Sequence, residues 1–257
     1  MEFRNMKQLA AVIIESRPVQ NFALLCLSHM KQLPEGTDLI VYTTSSTRKI
    51  FKEQFKKVPL SPIFKDYPEM INIPGGMYAV QGFAEMMQEN KNLEPILHYC
   101  IFMTSVELWK ELSIYNRVLT FQTDTGILKK GIEEFFKWDY IGAPCYNFLG
   151  EATIMNGGLS LRNPRIMEFI CRYYGWDSDL PEMIELGTQS TASFFAEDIF
   201  FCTRLLKYGI GNYPELEDSR RFSVESKFEL GTFGYHKIDA YLNSDQIMQI
   251  KNQYKAK

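Results

Sequence analysis

The sequence predicts an α/β protein, one compact domain in which a largely parallel sheet is covered by helices. Three observations predict it. Residues 9–15 (Leu-Ala-Ala-Val-Ile-Ile-Glu) form a continuous apolar run, the mark of a strand buried on both faces. The first 57 residues then alternate strand and helix patterns in a β-α-β-α opening. Further on, the β-branched and aromatic run from Val118 to Phe121 stops at once in Gln122-Thr123-Asp124. A lone acid is thereby placed at the carboxyl end of a strand, where α/β sheets bind ligands.

Arg17-Pro18 turns the chain ahead of a helix over residues 21–30, with Phe22, Leu25 and Cys26 on its apolar face. Pro34-Glu35-Gly36 is a turn, and residues 39–42 are a second strand. Thr43 to Thr47 offer capping hydroxyls for a helix over 48–57. Pro59, Pro62 and Pro68 leave room for one short strand between 58 and 73. Pro74-Gly75-Gly76 precedes a helix over 78–88, and a polar break covers 89–94. Residues 99–103 are apolar, and Thr104-Ser105 caps a helix over 106–112. After the 118–121 strand a helix is expected over 127–137, with Lys129, Lys130, Glu133 and Glu134 facing water. A short strand over 139–144 is stopped by Pro144. Gly157-Gly158 reads as a flexible turn into an alternating strand ending at Arg162, and Pro164 opens a helix through 174. Residues 177–189 read as a surface loop or lid. The 196–208 helix carries Ile199, Cys202, Leu205 and Leu206 on one stripe, and a further helix lies near the end.

At 257 residues the chain can bury a substantial core, and 46% hydrophobic with 23% charged residues is globular composition. A net charge of −3 does not suggest a nucleic-acid partner. The lysine-rich run 49–57 reads as a solvated helix face or as a contact for an anionic surface. Five scattered cysteines, Cys26, Cys100, Cys145, Cys171 and Cys202, fit reduced thiols in a cytoplasmic protein. The first eight residues lack the apolar core of a signal peptide, and no apolar run approaches the roughly 18 residues of a membrane span. A soluble, unanchored protein is expected. The P-loop, G-x-G-x-x-G, G-x-S-x-G, H-E-x-x-H and paired C-x-x-C patterns do not occur, which weighs against NTPase, dehydrogenase, simple hydrolase and zinc readings.

The candidate site residues each have a bland reading beside a chemical one. Asp124 either caps the helix expected after it or faces a nucleotide-linked diphosphate through a divalent metal; Mg²⁺ and Mn²⁺ commonly take one or two protein oxygens and complete their shell with phosphate and water. Glu197 and Asp198 either complement a helix N-terminus or point a general base into a cleft. Gly157-Gly158 is either a plain turn or a place where a substrate approaches the backbone closely. Arg162 clamps a phosphate or makes a structural ion pair. His236, beside Lys237, either completes a metal shell or sits in a surface loop, while His29 and His98 lie in apolar or helical stretches and read as structural.

The order of these features is similar to one known set. Gln122-Thr123-Asp124, Asp139-Tyr140-Ile141-Gly142-Ala143-Pro144, Asn156-Gly157-Gly158-Leu159-Ser160-Leu161-Arg162, Glu197-Asp198 and Phe233-Gly234-Tyr235-His236-Lys237 resemble a little-characterised family of glycosyltransferase-like proteins from bacteria and large viruses, described chiefly as a domain of unknown function. The resemblance spans roughly residues 95–240. That family looks like the GT-A glycosyltransferases, so it implies a GT-A-like, Rossmann-type three-layer fold with a central, mostly parallel mixed sheet. On that resemblance residues 1–125 form a nucleotide-sugar-binding half and 126–257 an acceptor-binding, catalytic half of one domain.

It also implies roles. Gln122-Thr123-Asp124 stands where the family of enzymes has Asp-x-Asp, which makes Asp124 a ligand of Mn²⁺ or Mg²⁺ with His236 completing the shell. Gln122 departs from that motif, and an amide binds a cation less well than a carboxylate. Gln122, Thr123, Asp124, Gly157, Gly158, Arg162 and Lys237 would contact the donor. Asp198 would be the base and Glu197 would bind or orient the acceptor. The expected function is metal-assisted transfer of a sugar from a nucleotide-diphosphate sugar to a hydroxyl of a glycan or other acceptor, with inversion. The alternatives are a catalytically silent nucleotide- or sugar-binding protein on the same scaffold, favoured by Gln122, and a nucleotidyltransferase, which would need a second strand-end acid near Asp124.

Overall fold

The structure, a computed structural model, describes residues 7–69, 93–146, 152–176 and 196–254. The helix expected over 78–88, the Pro74-Gly75-Gly76 turn and the expected loop at 177–189 lie outside the described residues.

The opening alternation folds as its periodicity dictates. Strand β1 (Lys7–Ile14), helix α1 (Phe22–Met30), β2 (Asp38–Thr43), α2 (Ser45–Phe55) and β3 (Ile63–Asp66) follow one another, with β1–β2 and β2–β3 parallel. Thr44 caps α2 by accepting from the Thr47 N–H, and Phe51 and Phe55 point inward. Helices α3 (Leu93–Met103) and α4 (Val106–Leu112), the latter capped by Ser105, lead into β4 (Tyr115–Phe121), parallel to β1.

Beyond β4 the fold departs from the expected pattern. Where a helix was expected over 127–137, the chain forms β5 (Thr125–Ile127) and one 3-10 turn (Ile132–Phe135). Long-range pairing overrides the local charge pattern: Gly126 and Ile127 lie opposite Tyr235 and Gly234, and Leu128 N–H donates to Phe233 O at 2.8 Å. Gly131, at φ 103, then turns the chain out of helical geometry. The strand expected to stop at Pro144 continues as β6 (Tyr140–Tyr146), with the register slipping between Gly142 and Pro144, because proline has no N–H to give the ladder.

The expected Gly157-Gly158 turn is the middle of an 11-residue strand, β7 (Ala152–Arg162). Helices α5 (Pro164–Tyr173) and α6 (Glu197–Tyr208) follow the sequence pattern, and Gly209 ends α6 in the left-handed conformation at φ 58. A short α7 (Leu216–Phe222), strands β8 (Ser223–Val224) and β9 (Gly234–His236), and α8 (Ser244–Asn252) complete the described chain.

The main sheet has the order β3-β2-β1-β4-β7-β6. Only β7 runs against the other five, so the sheet is mixed and mostly parallel. A second, three-stranded sheet orders β5-β9-β8. The chain moves outward from β1 through β2 to β3, then resumes on the other side of β1 with β4. That reversal opens a crevice at the carboxyl ends of β1 and β4, the place where such sheets take ligands. Leu9 to Ile13 and Val118 to Leu119 are buried at the centre. No helix among the described residues is long and apolar enough to cross a membrane, and all five cysteines are free.

Candidate active site

At the crevice, β4 ends and the chain enters Gln122-Thr123-Asp124. No helix follows, so Asp124 is not a helix cap; it is exposed on a turn between β4 and β5. The turn is held from beneath. His29 of α1 stacks on Phe121 at 4.8 Å, and its Nε2 lies 3.0 Å from Thr125 Oγ1. Burial pushes the His29 imidazole down to about 4, so it is neutral at pH 7 and structural, as its apolar setting predicts. Gln122 is hydrogen-bonded to Tyr99 of α3.

The register of two sheets brings the other candidates to this turn. Antiparallel pairing sets Phe121 opposite Leu159, which lays Gly157-Gly158 alongside the exit of β4. Pairing of β5 with β9 sets Thr125 opposite His236, and Lys237 N–H donates to Asp124 O at 2.9 Å. Lys237 takes the left-handed conformation at φ 50, and its side chain is exposed. His236 Nε2 lies 3.4 Å from Asp124 Oδ1, and Nδ1 lies 3.0 Å from Glu225 Oε1 just after β8. Both approaches are oblique, so neither buried ring nitrogen has a well-aligned hydrogen bond. Burial works to lower the His236 pKa, but the two carboxylates outweigh it and raise it to about 9. Asp124 is held below the usual carboxylate range chiefly by His236.

The two glycines are required by what lies against them. A Cβ at Gly158 would fall 2.3 Å from His236 Nε2, and one at Gly157 would fall 2.1 Å from Glu197 Oε1. Gly157 N–H donates to Asp198 Oδ2 at 3.1 Å, and Ile199 N–H to Asp198 Oδ1 at 2.8 Å. Asp124, His236, Gly158, Gly157 and Asp198 therefore adjoin one another across the end of β4 and the middle of β7. Despite its two N–H donors, Asp198 is raised to about 7, by burial first and by the neighbouring Glu197 charge second.

Glu197 and Arg162 face each other rather than the crevice. Their contacts are 2.9 and 3.0 Å, Arg162 has no exposed side-chain surface, and Glu197 has 5%. The guanidinium is walled by Tyr140 at 4.8 Å, Phe201 at 5.5 Å and Trp109 at 5.7 Å. Of the two readings of Arg162, the structural ion pair matches this geometry, and the phosphate clamp does not.

A divalent cation has a partial ligand set here. His236 Nε2 is a buried nitrogen without a good partner, and Asp124 Oδ1 beside it is 3.4 Å away, long for a hydrogen bond. No group of three or more potential ligands occurs among the described residues. A nitrogen and one carboxylate oxygen fit a cation whose remaining positions are taken by phosphate and water.

Three residues that local patterns did not single out lie at the crevice or directly behind it. Glu15, 5% exposed, binds Arg17 through its backbone N–H at 2.8 Å, Nε at 2.9 Å and Nη2 at 2.7 Å. Arg17, largely exposed at the end of β1, comes within electrostatic range of Asp124. Glu225, behind His236 at Nδ1, is the third, and nothing in its surroundings in the sequence marks it.

With this geometry in view, the fold is GT-A-like. Among solved structures the chain is similar to mouse xyloside xylosyltransferase 1 in its apo form, with a TM-score of 0.56, 11% sequence identity, and coverage of 92% of this chain and 99% of that one. At that identity the likeness is one of fold. The chain belongs to the family described as "Protein of unknown function (DUF5672)", whose profile matches residues 83–236. No curated protein matches the sequence.

Proposed function

We propose that the protein is a glycosyltransferase that moves a sugar from a nucleotide-diphosphate sugar to an acceptor hydroxyl. The observation that carries this reading is the convergence of Asp124, His236 and Asp198 across Gly157-Gly158 at the crevice. The same reading divides one domain into a donor half, about residues 1–125, and an acceptor half, about 126–257, and places it in the cytoplasm.

Donor binding falls to the turn after β4. Asp124 and His236 would hold Mn²⁺ or Mg²⁺ against the donor diphosphate, and the cation would offset the charge that grows on the leaving nucleoside diphosphate. Lys237, whose charge acts on Asp124, would add positive charge beside the diphosphate. Gly157 and Gly158 let Glu197 and His236 pack directly against β7, which draws the donor turn and α6 close enough to face one sugar. Asp198, with a pKa raised to about 7, is half ionised near neutrality and accepts the proton of the attacking hydroxyl while retaining its two backbone donors. Attack from that side, opposite the departing diphosphate, inverts the anomeric centre. The buried Arg162–Glu197 pair holds Gly157 and the start of α6, so Glu197 acts by positioning Asp198.

A panel of UDP-, GDP- and dTDP-sugars with Mn²⁺ tests the reading. One donor is expected to raise the unfolding temperature and to be slowly hydrolysed. Asp124→Ala should abolish both effects, and Asp198→Asn should lower turnover by about 10²–10⁴-fold while leaving donor binding intact. Turnover should also climb with pH through about 7 as Asp198 ionises. Donor binding indifferent to Asp124→Ala would overturn the assigned site. Gln122 in the place of an acid favours a second reading, a catalytically silent sugar- or nucleotide-binding protein; donor binding without turnover across a broad acceptor set would select it.

A further inference from the structure

Glu225 is a buried acid that the transfer scheme above does not use. It follows β8, and its side chain is 7% exposed. A carboxylate taken out of water costs several kcal/mol unless a charged or hydrogen-bonding partner offsets that loss. The partner at hand is the His236 ring, whose Nδ1 lies 3.0 Å from Glu225 Oε1. Parallel pairing of β8 with β9, with Val224 opposite Tyr235, carries the residue that follows each strand position to the same end of the small sheet. The ring is confined on its other sides: its Nε2 faces Asp124 Oδ1 at 3.4 Å, and Gly158 lies flat against Nε2, Cε1 and Cδ2.

A neutral imidazole carries one N–H and one lone pair, and the partner of one nitrogen decides which role the other takes. We propose that Glu225 is a positioning residue, whose carboxylate, 3.0 Å from Nδ1 though obliquely placed, holds the proton of His236 on Nδ1 and so keeps the Nε2 lone pair turned toward Asp124 for a divalent cation. This rests on the reading of Asp124 and His236 as cation ligands. Glu225 itself does not reach the cation position, since no third ligand joins the pair among the described residues. Its action is on the ring: it sets the orientation, selects the tautomer and strengthens the electron donation of Nε2. Acids in this relation to a ligating histidine typically change metal affinity by 10–100-fold when removed.

The test is Mn²⁺ binding to the full chain in the presence of UDP, followed by the electron paramagnetic resonance of free Mn²⁺, alongside the ¹⁵N shifts of His236 in the Mg²⁺–UDP complex. Glu225→Ala should weaken Mn²⁺ binding about 10–100-fold and lose the protonated-Nδ1 signature. Glu225→Gln, which keeps an oxygen acceptor in place, should stay within about threefold of the parent and keep that signature, a rescue that a purely structural role would not produce. Should Glu225→Ala fail to fold, Glu225→Asp draws the carboxylate back by one methylene and should fall between the other two. Parent-like Mn²⁺ affinity in Glu225→Ala, or in Glu225→Asp when that variant stands in, overturns the role of Glu225 alone. Absence of Mn²⁺ binding in the parent protein, with Asp124→Ala indistinguishable from it, overturns the cation reading of the site and this inference with it.

Discussion

The two sides of the main sheet are built on different physics. Residues 7–66, which supply β1 to β3, bury few polar groups: Glu15, His29, Thr43 and Thr47. Their order comes from apolar packing, with Phe22 stacked on Phe51 at 3.8 Å between α1 and α2. From β4 onward the buried set includes Arg117, Asp139, Arg162, Glu197, Arg204, Glu225 and His236. Burying charges stabilises less per residue than burying leucine and phenylalanine, and each charge must be met by a partner in one geometry. The first side is therefore a scaffold that tolerates repacking. The second holds specific atoms in specific places, which is what a site needs.

The largest expected effects separate these two kinds of core. Phe51→Ala should cost about 3–5 kcal/mol through the cavity it leaves. Arg162→Met should cost a similar 3–5 kcal/mol by leaving Glu197 charged and alone. Only the second loss should be recovered by a compensating change: Arg162→Met with Glu197→Leu should regain most of the stability in urea unfolding, yet remain impaired in turnover. Failure of the double variant to recover would mean that the pair is not the source of the cost.

A middle-sized effect concerns pH. The folded-state pKa of His236 is raised from 6.5 to about 9, so its contribution is fully present below 6.5 and is lost as pH rises through 9. Metal-free protein should lose on the order of 2–3 kcal/mol across that window, read as a falling unfolding temperature. His236→Asn should show a flatter profile there. Parallel profiles for the two proteins would remove the Asp124–His236–Glu225 contacts as a stabilising unit.

The smallest effect belongs to the scaffold side. Thr44→Ala removes the α2 cap and should cost about 1 kcal/mol, with donor binding unchanged. A change in donor affinity from so remote a site would show that the two sides are more tightly coupled than their construction implies.

Elements whose determinants are local lie where the sequence predicts them. The β1-α1-β2-α2 opening, the Ser105 cap, α5 and α6 all lie close to where periodicity and capping residues put them, because their determinants sit within a few residues of one another. The expected helix over 127–137 failed for the converse reason. Lys129, Lys130, Glu133 and Glu134 do resemble a solvated helix face, but pairing with β9, about 110 residues away, claimed the backbone first. Gly157-Gly158 looked like a turn because glycine commonly is one; its real cause is the close approach of His236 and Glu197, which no local pattern records.

By itself the sequence determined the α/β class, the order of most elements and the residue types able to hold a cation and accept a proton. Only the tertiary structure decided which of them meet. The β4–β7 register laid Gly157 beside the Asp124 turn, the β5–β9 register brought His236 to it, and α6 delivered Asp198 to Gly157 while turning Glu197 inward to Arg162. Glu225 became visible only in the same way. Periodicity is written in neighbouring residues, whereas a site depends on registers between strands far apart in the chain, where a shift of one residue turns every side chain to the opposite face.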